Sequence, residues 1–542
     1  MTLSIKNRTG LLRACSNLFT SLRFSGISPV VLAKIYSAAV YGVDAFEVEI
    51  EVNGARGSPV IVVVGLPDVA VKESKDRVTT AISNSGYHWP HGRTTINLAP
   101  ADVKKEGPSF DLPIALAMIA VGAEVELPNV EQFCFVGELA LTGQVRPVRG
   151  VLPVALEARR CGRKAVVVPM ENAREAAMVE GIDVFGVRNL REAFEFLTGE
   201  ITLTPTREDI THFFARHQNY DVDFSDVRGQ HHVKRAIEVA VAGNHNALFI
   251  GPPGSGKSMI AKRIPTIIPP MALEEAIEST KIHSICGLLL DPGHSFVATR
   301  PFRAPHHTIS DAGLIGGGTT PTPGEISVAH NGVLFLDELP EFRRQTLEVL
   351  RQPLEDARVT ISRAAGSMSF PADFMLIAAM NPCKCGYFGD PKRECRCSPA
   401  DVQRYRDRIS GPLLDRIDIH VEVPAVQYRD MSSNVPGEAS AAIRERVEKA
   451  RGVQLARFAA LGKVRTNSRM SAKHIKHFCA LGEAAEGMMK MAMTELNFSA
   501  RAYDRILKVA RTIADLAGSE GIAAEHVGEA IQYRTLDRNL WA

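Results

Sequence analysis

The sequence predicts a multidomain α/β protein, and three observations lead to that fold class. With 542 residues the chain can build two to four domains of about 150 residues each. Its 45% hydrophobic and 23% charged residues are ordinary for a globular protein with substantial cores. Short apolar runs alternate with helical stretches up to about residue 428, and helical periodicity alone follows. The chain is therefore expected to fold as α/β domains followed by a helical domain.

Charge, hydropathy and cysteine content exclude several classes of protein. The 63 Lys and Arg residues nearly balance the 61 Asp and Glu residues, so the chain is no polycation and any nucleic-acid binding requires a local patch. The longest uncharged apolar stretch, residues 112–123, contains a proline and is shorter than the roughly 20 residues that span a bilayer. No membrane partner is therefore expected. Nine cysteines are too few for a disulfide scaffold in so long a chain and indicate a reducing, cytoplasmic location.

Residues 1–33 are predicted to be an extension that precedes the first domain. The first carboxylate of the chain is Asp44, and this basic leader lacks the continuous apolar core of a secretory signal. Three interpretations stay open: a targeting segment, a disordered extension, or the product of a start codon assigned too early, which we favour.

Residues 34–198 are predicted to form one α+β domain. Residues 46–52 alternate with period two, as a half-buried strand should. Further strands are predicted at 60–64, 94–98 and 164–168, and helices at 69–85 and 112–121. The polar residues 199–222 have no periodicity and predict a linker.

Residues 223–428 are predicted to form a second α/β domain. Its predicted strands, at 247–250, 332–336, 358–362 and 373–380, alternate with helices and indicate a mainly parallel sheet flanked by helices. The composition of residues 430–440 predicts a flexible joint, and residues 441–542 predict a helical domain.

A phosphate-binding loop is predicted at residues 251–258, which match the pattern G-x-x-x-x-G-K-[ST] between an apolar strand and a helix. The glycines allow backbone N–H groups to surround the phosphates of a nucleotide. Lys257 is expected to reach the β- and γ-phosphates, and the hydroxyl of Ser258 to bind Mg²⁺. The predicted nucleotide-binding residues of the loop are Gly251, Pro252, Pro253, Gly254, Ser255, Gly256, Lys257 and Ser258.

Two acids follow the predicted strand at 332–336. A buried strand delivers Asp337 and Glu338 at its C-terminal end, and they follow a complete phosphate loop in the same domain. Asp337 is expected to hold Mg²⁺, directly or through water, and Glu338 to accept a proton from the attacking water. Together with the loop, these acids predict hydrolysis of ATP.

These motifs resemble those of AAA+ ATPases. Asn381 matches the sensor 1 position, and the resemblance implies that it helps to position the attacking water. The segment around Arg416 resembles the one that carries a trans-acting arginine finger, and the segment around Arg501 resembles sensor 2, which reaches the γ-phosphate from the helical lid. The alternative for either arginine is a surface ion pair. The segment that resembles the adenine-packing motif includes Gly229 and Gln230.

Narrower resemblances point to one branch of these ATPases. Residues 300–318 resemble the helix-2 insert of magnesium-chelatase-like AAA+ proteins, and residues 358–370 resemble the hairpin that precedes sensor 1 there. Residues 31–42 resemble the start of the YifB/ComM family. That resemblance implies a Lon-protease-like N-terminal domain, an AAA+ domain and a helical C-terminal lid domain. It also implies that Val31 is the true initiator, so that residues 1–30 would be an artefact.

The predicted Lon-like domain is expected to be inactive as a peptidase. Ser109 lies in a segment that resembles the one carrying the nucleophilic serine of Lon proteins, which use a later lysine as the base. The position that matches this lysine is Val154, so Ser109 has no partner and is interpreted as a helix N-cap. The resemblance then implies a domain for assembly or for binding a partner or DNA.

Four cysteines form the pattern C-x-C-x₉-C-x-C shortly after Asn381. Their thiolates could bind Zn²⁺ tetrahedrally, which would leave no open position for catalysis. Two interpretations stay open, a structural zinc site and four reduced loop thiols, because the C-x-C spacing is tighter than that of most zinc ligand pairs. The candidate ligands are Cys383, Cys385, Cys395 and Cys397.

The family resemblance implies a hexameric helicase that drives branch migration of DNA, branched or single-stranded, during recombination in natural transformation. A trans-acting arginine implies a ring, whose pore loops would grip phosphates of the strand. The candidates for these contacts are Arg300, Arg303, His306, His307, Arg358 and Arg363.

Two alternatives remain for the function, a magnesium-chelatase motor subunit and a protein remodeller or scaffold without helicase activity. Chelatase motors lack a Lon-like domain, which argues against the first alternative. Stimulation of ATP hydrolysis by branched DNA would separate all three functions.

Overall fold

The computed structural model describes most of the predicted domains, but not all of the predicted connecting segments. Residues 1–31, and with them most of the predicted extension, lie outside the described residues, as do much of the predicted linker and joint. The described residues are 32–209, 220–290, 296–318, 321–363, 366–391, 393–426, 437–462, 464–496 and 498–536.

The first region contains a four-stranded sheet of order β1-β2-β4-β3 backed by helices. Its elements are β1 (Leu32–Tyr41), β2 (Asp44–Ala55), β3 (Val60–Val64), α1 (Val69–Asn84), β4 (Arg93–Ala99) and α2 (Asp111–Gly122). Strand β1 begins inside the predicted extension, because Leu32 already pairs with Asn53 of β2. Helix α2 is buried on all sides, which explains why its sequence is apolar without helical periodicity.

A three-stranded parallel sheet of order β5-β8-β9 completes this region. The elements are β5 (Phe133–Phe135), β6 (Glu138–Leu139), β7 (Val145–Arg146), α3 (Val151–Arg160), β8 (Ala165–Pro169), α4 (Ala173–Ala176), β9 (Asp183–Val187) and α5 (Leu190–Thr198). The described part of the predicted linker packs against the first region. Leu203 packs against the core, and the N–H of Thr206 donates to the carbonyl of Val184 at 2.7 Å.

The second region is built on a five-stranded sheet of order β11-β14-β17-β10-β18, in which every pairing is parallel. Its three central strands, β14, β17 and β10, are buried along their whole length, as their uninterrupted apolar sequences require. The strands are β10 (Ala247–Ile250), β11 (Phe302–Arg303), β12 (Gly316–Gly317), β13 (Thr322–Pro323), β14 (Val333–Leu336), β15 (Arg358–Arg363), β16 (Gly366–Pro371), β17 (Met375–Met380) and β18 (Ile419–Glu422).

The sequence placed one strand of this sheet wrongly and missed two others. Residues 358–362 were predicted to join the parallel sheet, but β15 pairs antiparallel with β16 in a separate hairpin. Exposed and buried residues alternate along β15 up to Ser362. This alternation is typical of a hairpin with one solvent-exposed face and not of a strand buried on both faces. The sequence did not predict β11 and β18, which form the two edges of the sheet.

Helices flank this sheet and then form the C-terminal region, as predicted. They are α6 (His231–Gly243), α7 (Lys257–Ala261), α8 (Leu273–Ile285), α9 (Asp311–Ile315), α10 (Glu325–Val328), α11 (Arg344–Glu348), α12 (Arg351–Asp356), α13 (Pro399–Arg406), α14 (Gly411–Leu414), α15 (Ser440–Phe458), α16 (Ala472–Phe478), α17 (Glu483–Glu495), α18 (Ala500–Leu516) and α19 (Ala524–Gln532). Among the helices of the described residues, none combines the length and the apolar character of a membrane span.

The regions pack on one another through shared cores. Apolar residues of α3 and β8 form one cluster with Ala276 of α8, and the buried carboxylate of Glu175 accepts hydrogen bonds from Leu152 and from the hydroxyl of Ser284. At the other junction, the buried His245 contacts Asp418 at 3.0 Å and Thr512 of α18 at 2.9 Å. The strand that precedes the phosphate loop is thus tied to the helical region.

Candidate nucleotide site

Three neighbouring parallel strands end at the candidate site. Strand β10 leads into the phosphate loop at Gly251, β14 leads into Asp337, and β17 leads into Asn381. Because parallel strands have their carboxyl ends at the same sheet edge, these residues come together across a long stretch of sequence.

The phosphate loop has the backbone that its glycines were expected to supply. Gly254 and Gly256 have φ angles of 78° and 91°, a region that side chains with a Cβ rarely adopt. A Cβ on Gly251 would lie 2.1 Å from the carbonyl oxygen of Val423. The loop conformation therefore depends on these glycines.

Lys257 is held at the centre of the site. Its side-chain ammonium donates to the carbonyls of Gly251 at 2.7 Å and Pro252 at 3.0 Å, and to Oδ1 of Asn381 at 3.2 Å. Burial lowers the pKa of this ammonium, while the nearby carboxylate of Asp337 acts in the opposite direction. The contact with Asn381 brings the predicted sensor residue to the phosphate loop.

Ser258 and Asp337 lie side by side, as a shared magnesium site requires. The hydroxyl of Ser258 donates to Oδ2 of Asp337 at 2.5 Å, and the N–H of Glu338 donates to Oδ1 at 2.9 Å. A hydroxyl and a carboxylate at this distance are oxygen ligands of the type that Mg²⁺ prefers. The residues present thus fit the ion.

The segment predicted to pack around the adenine also contacts the phosphate loop. The side-chain amide of Gln230 donates to the carbonyls of Ser255 at 3.0 Å and Pro424 at 2.9 Å. The preceding residue, Gly229, has a φ of 62°. Within the part of the chain that the structure describes, Oε1 of Gln230 and Oγ of Ser255 are buried without a hydrogen-bond partner. Such orphaned polar atoms are costly, and a bound nucleotide could satisfy them.

Glu338 contacts a residue that sequence reasoning assigned elsewhere. Oε2 of Glu338 lies 3.2 Å from Nδ1 of His307, and the ring centroids of His306 and His307 are 4.1 Å apart. Glu338 has a φ of 53°, which is a strained backbone conformation for a residue with a side chain. The segment at 300–318 therefore reaches the acid predicted to be the base, and no sequence pattern indicated this pair.

The two candidate arginines line one cavity. Arg416 and Arg501 line a cavity of about 180 Å³ between α18 and the segment before β18, and no residue of the phosphate loop lines it. Arg416 donates to the carbonyl of Pro412 at 2.5 Å and pairs with Glu355, with 8% of its side chain exposed. Arg501 is 66% exposed and 3.6 Å from Asp415. The role of Arg501 at the γ-phosphate stays a prediction.

Two of the residues predicted to grip DNA are engaged inside the protein. Arg300 donates to the carbonyls of Pro269 and Asn331 and to Glu275, at 2.7, 2.8 and 2.9 Å. Arg303 forms a two-point ion pair with Glu325, at 2.6 and 2.7 Å. The donors of both arginines are thus engaged within the protein, and their contact with DNA stays a prediction. His306, Arg358 and Arg363 are exposed.

The predicted cap at Ser109 was also wrong. Pro108–Phe110 is a short 3₁₀ turn, and no side-chain cap precedes it or the helix α2 that follows. Val154 is buried. Lys105, which lies four residues before Ser109, is also buried, and its ammonium has no hydrogen-bond partner among the described residues. Ser109 therefore has no hydrogen-bonded base there.

The four cysteines of the predicted cluster converge. Their ligand atoms all lie within 4.8 Å of one another, so the cluster could hold a metal ion. Cys383 is completely buried and the other three are partly exposed. The sequence alone had left these thiols undecided.

Comparison with known proteins assigns most of this chain to one family. The model "Magnesium chelatase, subunit ChlI" matches residues 223–431, "Subunit ChlI of Mg-chelatase" matches residues 50–172, and "Magnesium chelatase, subunit ChlI C-terminal" matches residues 437–534.

Full-length relatives are similar along nearly the whole chain. The competence protein ComM of Haemophilus influenzae is 44% identical over 514 residues, which cover 94% of this chain and 98% of ComM. YifB of Escherichia coli, named as uncharacterized, is 42% identical over 511 residues, with coverages of 94% and 98%. Lon protease 2 of Bacillus subtilis is 25% identical over 201 residues, which cover 34% of this chain and 35% of that protein.

Proposed function

The chain belongs to the magnesium-chelatase-like AAA+ family that includes ComM and YifB, and we propose that it is a ring-forming ATPase that moves branched DNA. The relative from Haemophilus influenzae is named a competence protein, which supports a role in the recombination of incoming DNA during natural transformation. The ring is expected to be a hexamer that acts on branched or single-stranded DNA.

The observation that carries the proposal is the convergence of the phosphate loop, two acids and Asn381 at one sheet edge. Lys257 exchanges its contacts with loop carbonyls for the β- and γ-phosphates of ATP when nucleotide binds. Ser258 and Asp337, which lie side by side, would hold Mg²⁺, and the ion would supply positive charge to the phosphates. Asn381 orients the attacking water, and Glu338 accepts its proton.

The transition state is completed by a neighbouring subunit. Arg416 and Arg501 share one cavity that contains no residue of the phosphate loop, which supports a common role in trans. Positive charge from the neighbour stabilises the leaving phosphates, and Arg416 must first leave Glu355 to supply it. Hydrolysis is therefore coupled to contact between subunits.

The exposed hairpin is the part of the chain that grips DNA. Arg363 lies at the end of β15, paired in register with Gly366, and its guanidinium contacts only the carbonyl of Ser362 among the described residues. Arg358 at the base of the hairpin and His306 of the insert are exposed as well. Contacts with phosphates made by these residues are independent of sequence and sensitive to salt.

The three regions act as a Lon-like domain at 34–198, an AAA+ domain at 223–428 and a lid domain at 441–542. The Lon-like domain is inactive as a peptidase, since neither Val154 nor Lys105 serves Ser109 as a base. Its shared core with α8 supports a role in assembly or in holding a partner. The four cysteines, whose ligand atoms lie within 4.8 Å of one another, would hold a structural zinc ion.

Stimulation of ATP hydrolysis by DNA tests the proposal. The purified protein is assayed with Mg²⁺ and ATP, without DNA and with duplex, single-stranded and four-way-junction DNA at one nucleotide concentration. We expect the junction to stimulate most. Turnover that no DNA changes would contradict the proposal and favour a remodeller. Turnover that only a porphyrin-binding partner changes would favour a chelatase motor.

A further inference from the structure

Three of the four cysteine sulfurs have spacings close to those of zinc ligands, and the ligand atoms of all four lie within 4.8 Å of one another. Sγ of Cys383 lies 3.3 Å from that of Cys385 and 3.7 Å from that of Cys395, and the last two are 3.6 Å apart. Sulfurs in a disulfide are about 2.05 Å apart. With Zn–S bonds of about 2.3 Å, the sulfurs of a regular tetrahedron lie about 3.8 Å apart. The thiols are thus separate and arranged around a common centre.

Four cysteine thiolates are one of the ligand sets found in structural zinc sites. Because four protein ligands fill a tetrahedral zinc ion, the ion has no open position for chemistry.

The cysteine loop packs directly on the phosphate loop. Gly386 approaches Pro253 so closely that a Cβ on Gly386 would lie 2.5 Å from Cδ of the proline. On its amino-terminal side, the cysteine loop begins two residues after Asn381, which contacts Lys257 at 3.2 Å. The two loops therefore touch at two places on either side of Cys383.

The described part of the cysteine loop contains no helix or strand between Met380 and Pro399 that would hold its shape. Arg406 of α13 donates to the carbonyl of Pro382 at 3.2 Å and lies over the ring of Phe388 at 5.0 Å. The loop also has contacts of its own, because the N–H of Gly386 donates to the carbonyl of Cys383 at 3.0 Å and Arg393 donates to the hydroxyl of Tyr387 at 2.6 Å. A metal ion held by Cys385 and Cys395 would add a direct link between the two ends of the segment that contains Gly386.

We infer that zinc bound by Cys383, Cys385, Cys395 and Cys397 forms a wall of the ATP site and sets the affinity for nucleotide by holding Gly386 against Pro253. The inference rests on the proposed nucleotide site but does not require DNA. Loss of zinc frees the cysteine loop, and Pro253 and Asn381 then lose their support. The phosphate loop then loses conformational entropy when ATP orders it, and this cost weakens the binding of ATP.

Two glycines of the cysteine loop provide a matched test. Gly386 and Gly389 have φ angles of 88° and 78°, so alanine is similarly strained at either position. Only Gly386 has a close neighbour, since a Cβ on Gly389 would meet nothing within 4 Å among the described residues. Gly386→Ala should therefore displace the phosphate loop without removing a zinc ligand, and Gly389→Ala should not.

The experiment measures zinc by elemental analysis and the Kd of ATP by titration, on the full chain purified without added metal or chelator. We expect about one zinc per chain in the wild type and in both glycine variants. The loss of one charge-assisted hydrogen bond to a phosphate raises Kd about tenfold, and we expect this rise in Gly386→Ala but not in Gly389→Ala. Cys395→Ser with Cys397→Ser should lose the zinc and show the same rise, whereas Cys161→Ser should resemble the wild type.

Removal of zinc from the wild type by a chelator, followed by its return, covers the case in which the cysteine variant fails to fold. Affinity should fall with the zinc and recover with it. Wild-type protein without zinc, unchanged ATP affinity after zinc removal, or equal affinity in Gly386→Ala and Gly389→Ala would each overturn the inference. A protein that binds ATP in this zinc-dependent way but moves no DNA would contradict only the proposed function.

Discussion

Replacing Arg363 and Arg303 by alanine separates a residue that contacts DNA from one that supports the fold. The guanidinium of Arg363 touches only the carbonyl of Ser362, at 3.3 Å, and has no carboxylate partner within the described residues. Its loss should change the free energy of unfolding by no more than about 0.5 kcal/mol. A plot of the logarithm of the DNA-binding constant against the logarithm of the salt concentration falls, and each lost phosphate contact should make its slope less steep by about 0.7 to 0.9.

Arg303→Ala has the opposite expected result. The variant leaves the carboxylate of Glu325, whose side chain is 24% exposed, without its two-point partner. Breaking a fully buried ion pair costs about 3–5 kcal/mol, and the partial exposure of this pair lowers the expected cost to about 1–3 kcal/mol. Stability should therefore fall, while the salt dependence of DNA binding stays that of the wild type.

The assay combines thermal unfolding with junction-DNA titrations at four salt concentrations, and Arg363→Lys serves as the charge-preserving control. Intrinsic ATP hydrolysis should be retained in Arg363→Ala. If Arg303→Ala weakened DNA binding at normal stability, and Arg363→Ala left binding unchanged, the assignment of the hairpin to DNA would be wrong.

Three further predictions concern hydrolysis itself. Glu338→Gln should keep ATP binding and lose turnover by about 10²–10⁴-fold, since only the base is removed; near-normal single-turnover rates would show that the base lies elsewhere. Arg416→Ala should bind ATP in the assembled ring yet hydrolyse it poorly. Mixing Arg416→Ala subunits with Glu338→Gln subunits should restore some turnover, at interfaces that combine an intact arginine with an intact base. A monomer that hydrolyses ATP as fast as the ring would exclude the role in trans. His307→Ala removes a contact of the exposed Glu338 carboxylate that is worth about 0.2–1 kcal/mol. Basal turnover should therefore rise by up to about fivefold, and stimulation by DNA should fall. Steady-state assays with and without a DNA junction measure both.

The sequence predicted the elements that carry the nucleotide site because their signals are local. The glycine pattern at 251–258 and the apolar runs before Asp337 and Asn381 each reside in a few consecutive residues. Parallel pairing then brings these segments to one edge, which the fold class already implies.

Long-range partners could not be predicted in this way. Arg303 is paired with Glu325, which is 22 residues away, and Arg416 with Glu355, which is 61 residues away, so nothing local separates these arginines from free ones. The edge strand β11 has two residues, too few for a periodic pattern. Ser109 resembled a cap because a proline precedes it, but it lies inside a 3₁₀ turn, and Phe110 occupies the cap position of α2.

Movement of a DNA junction by the purified protein tests the central claim most directly. A labelled four-way junction is incubated with the wild type or with Lys257→Ala, in Mg²⁺ with ATP or with a non-hydrolysable analogue, at low and moderate salt. The wild type with ATP should convert the junction to duplex products, and it should do so less well at the higher salt concentration. Neither Lys257→Ala nor the analogue should support conversion. An assembled ring that hydrolyses ATP but neither binds nor moves any DNA would contradict the account.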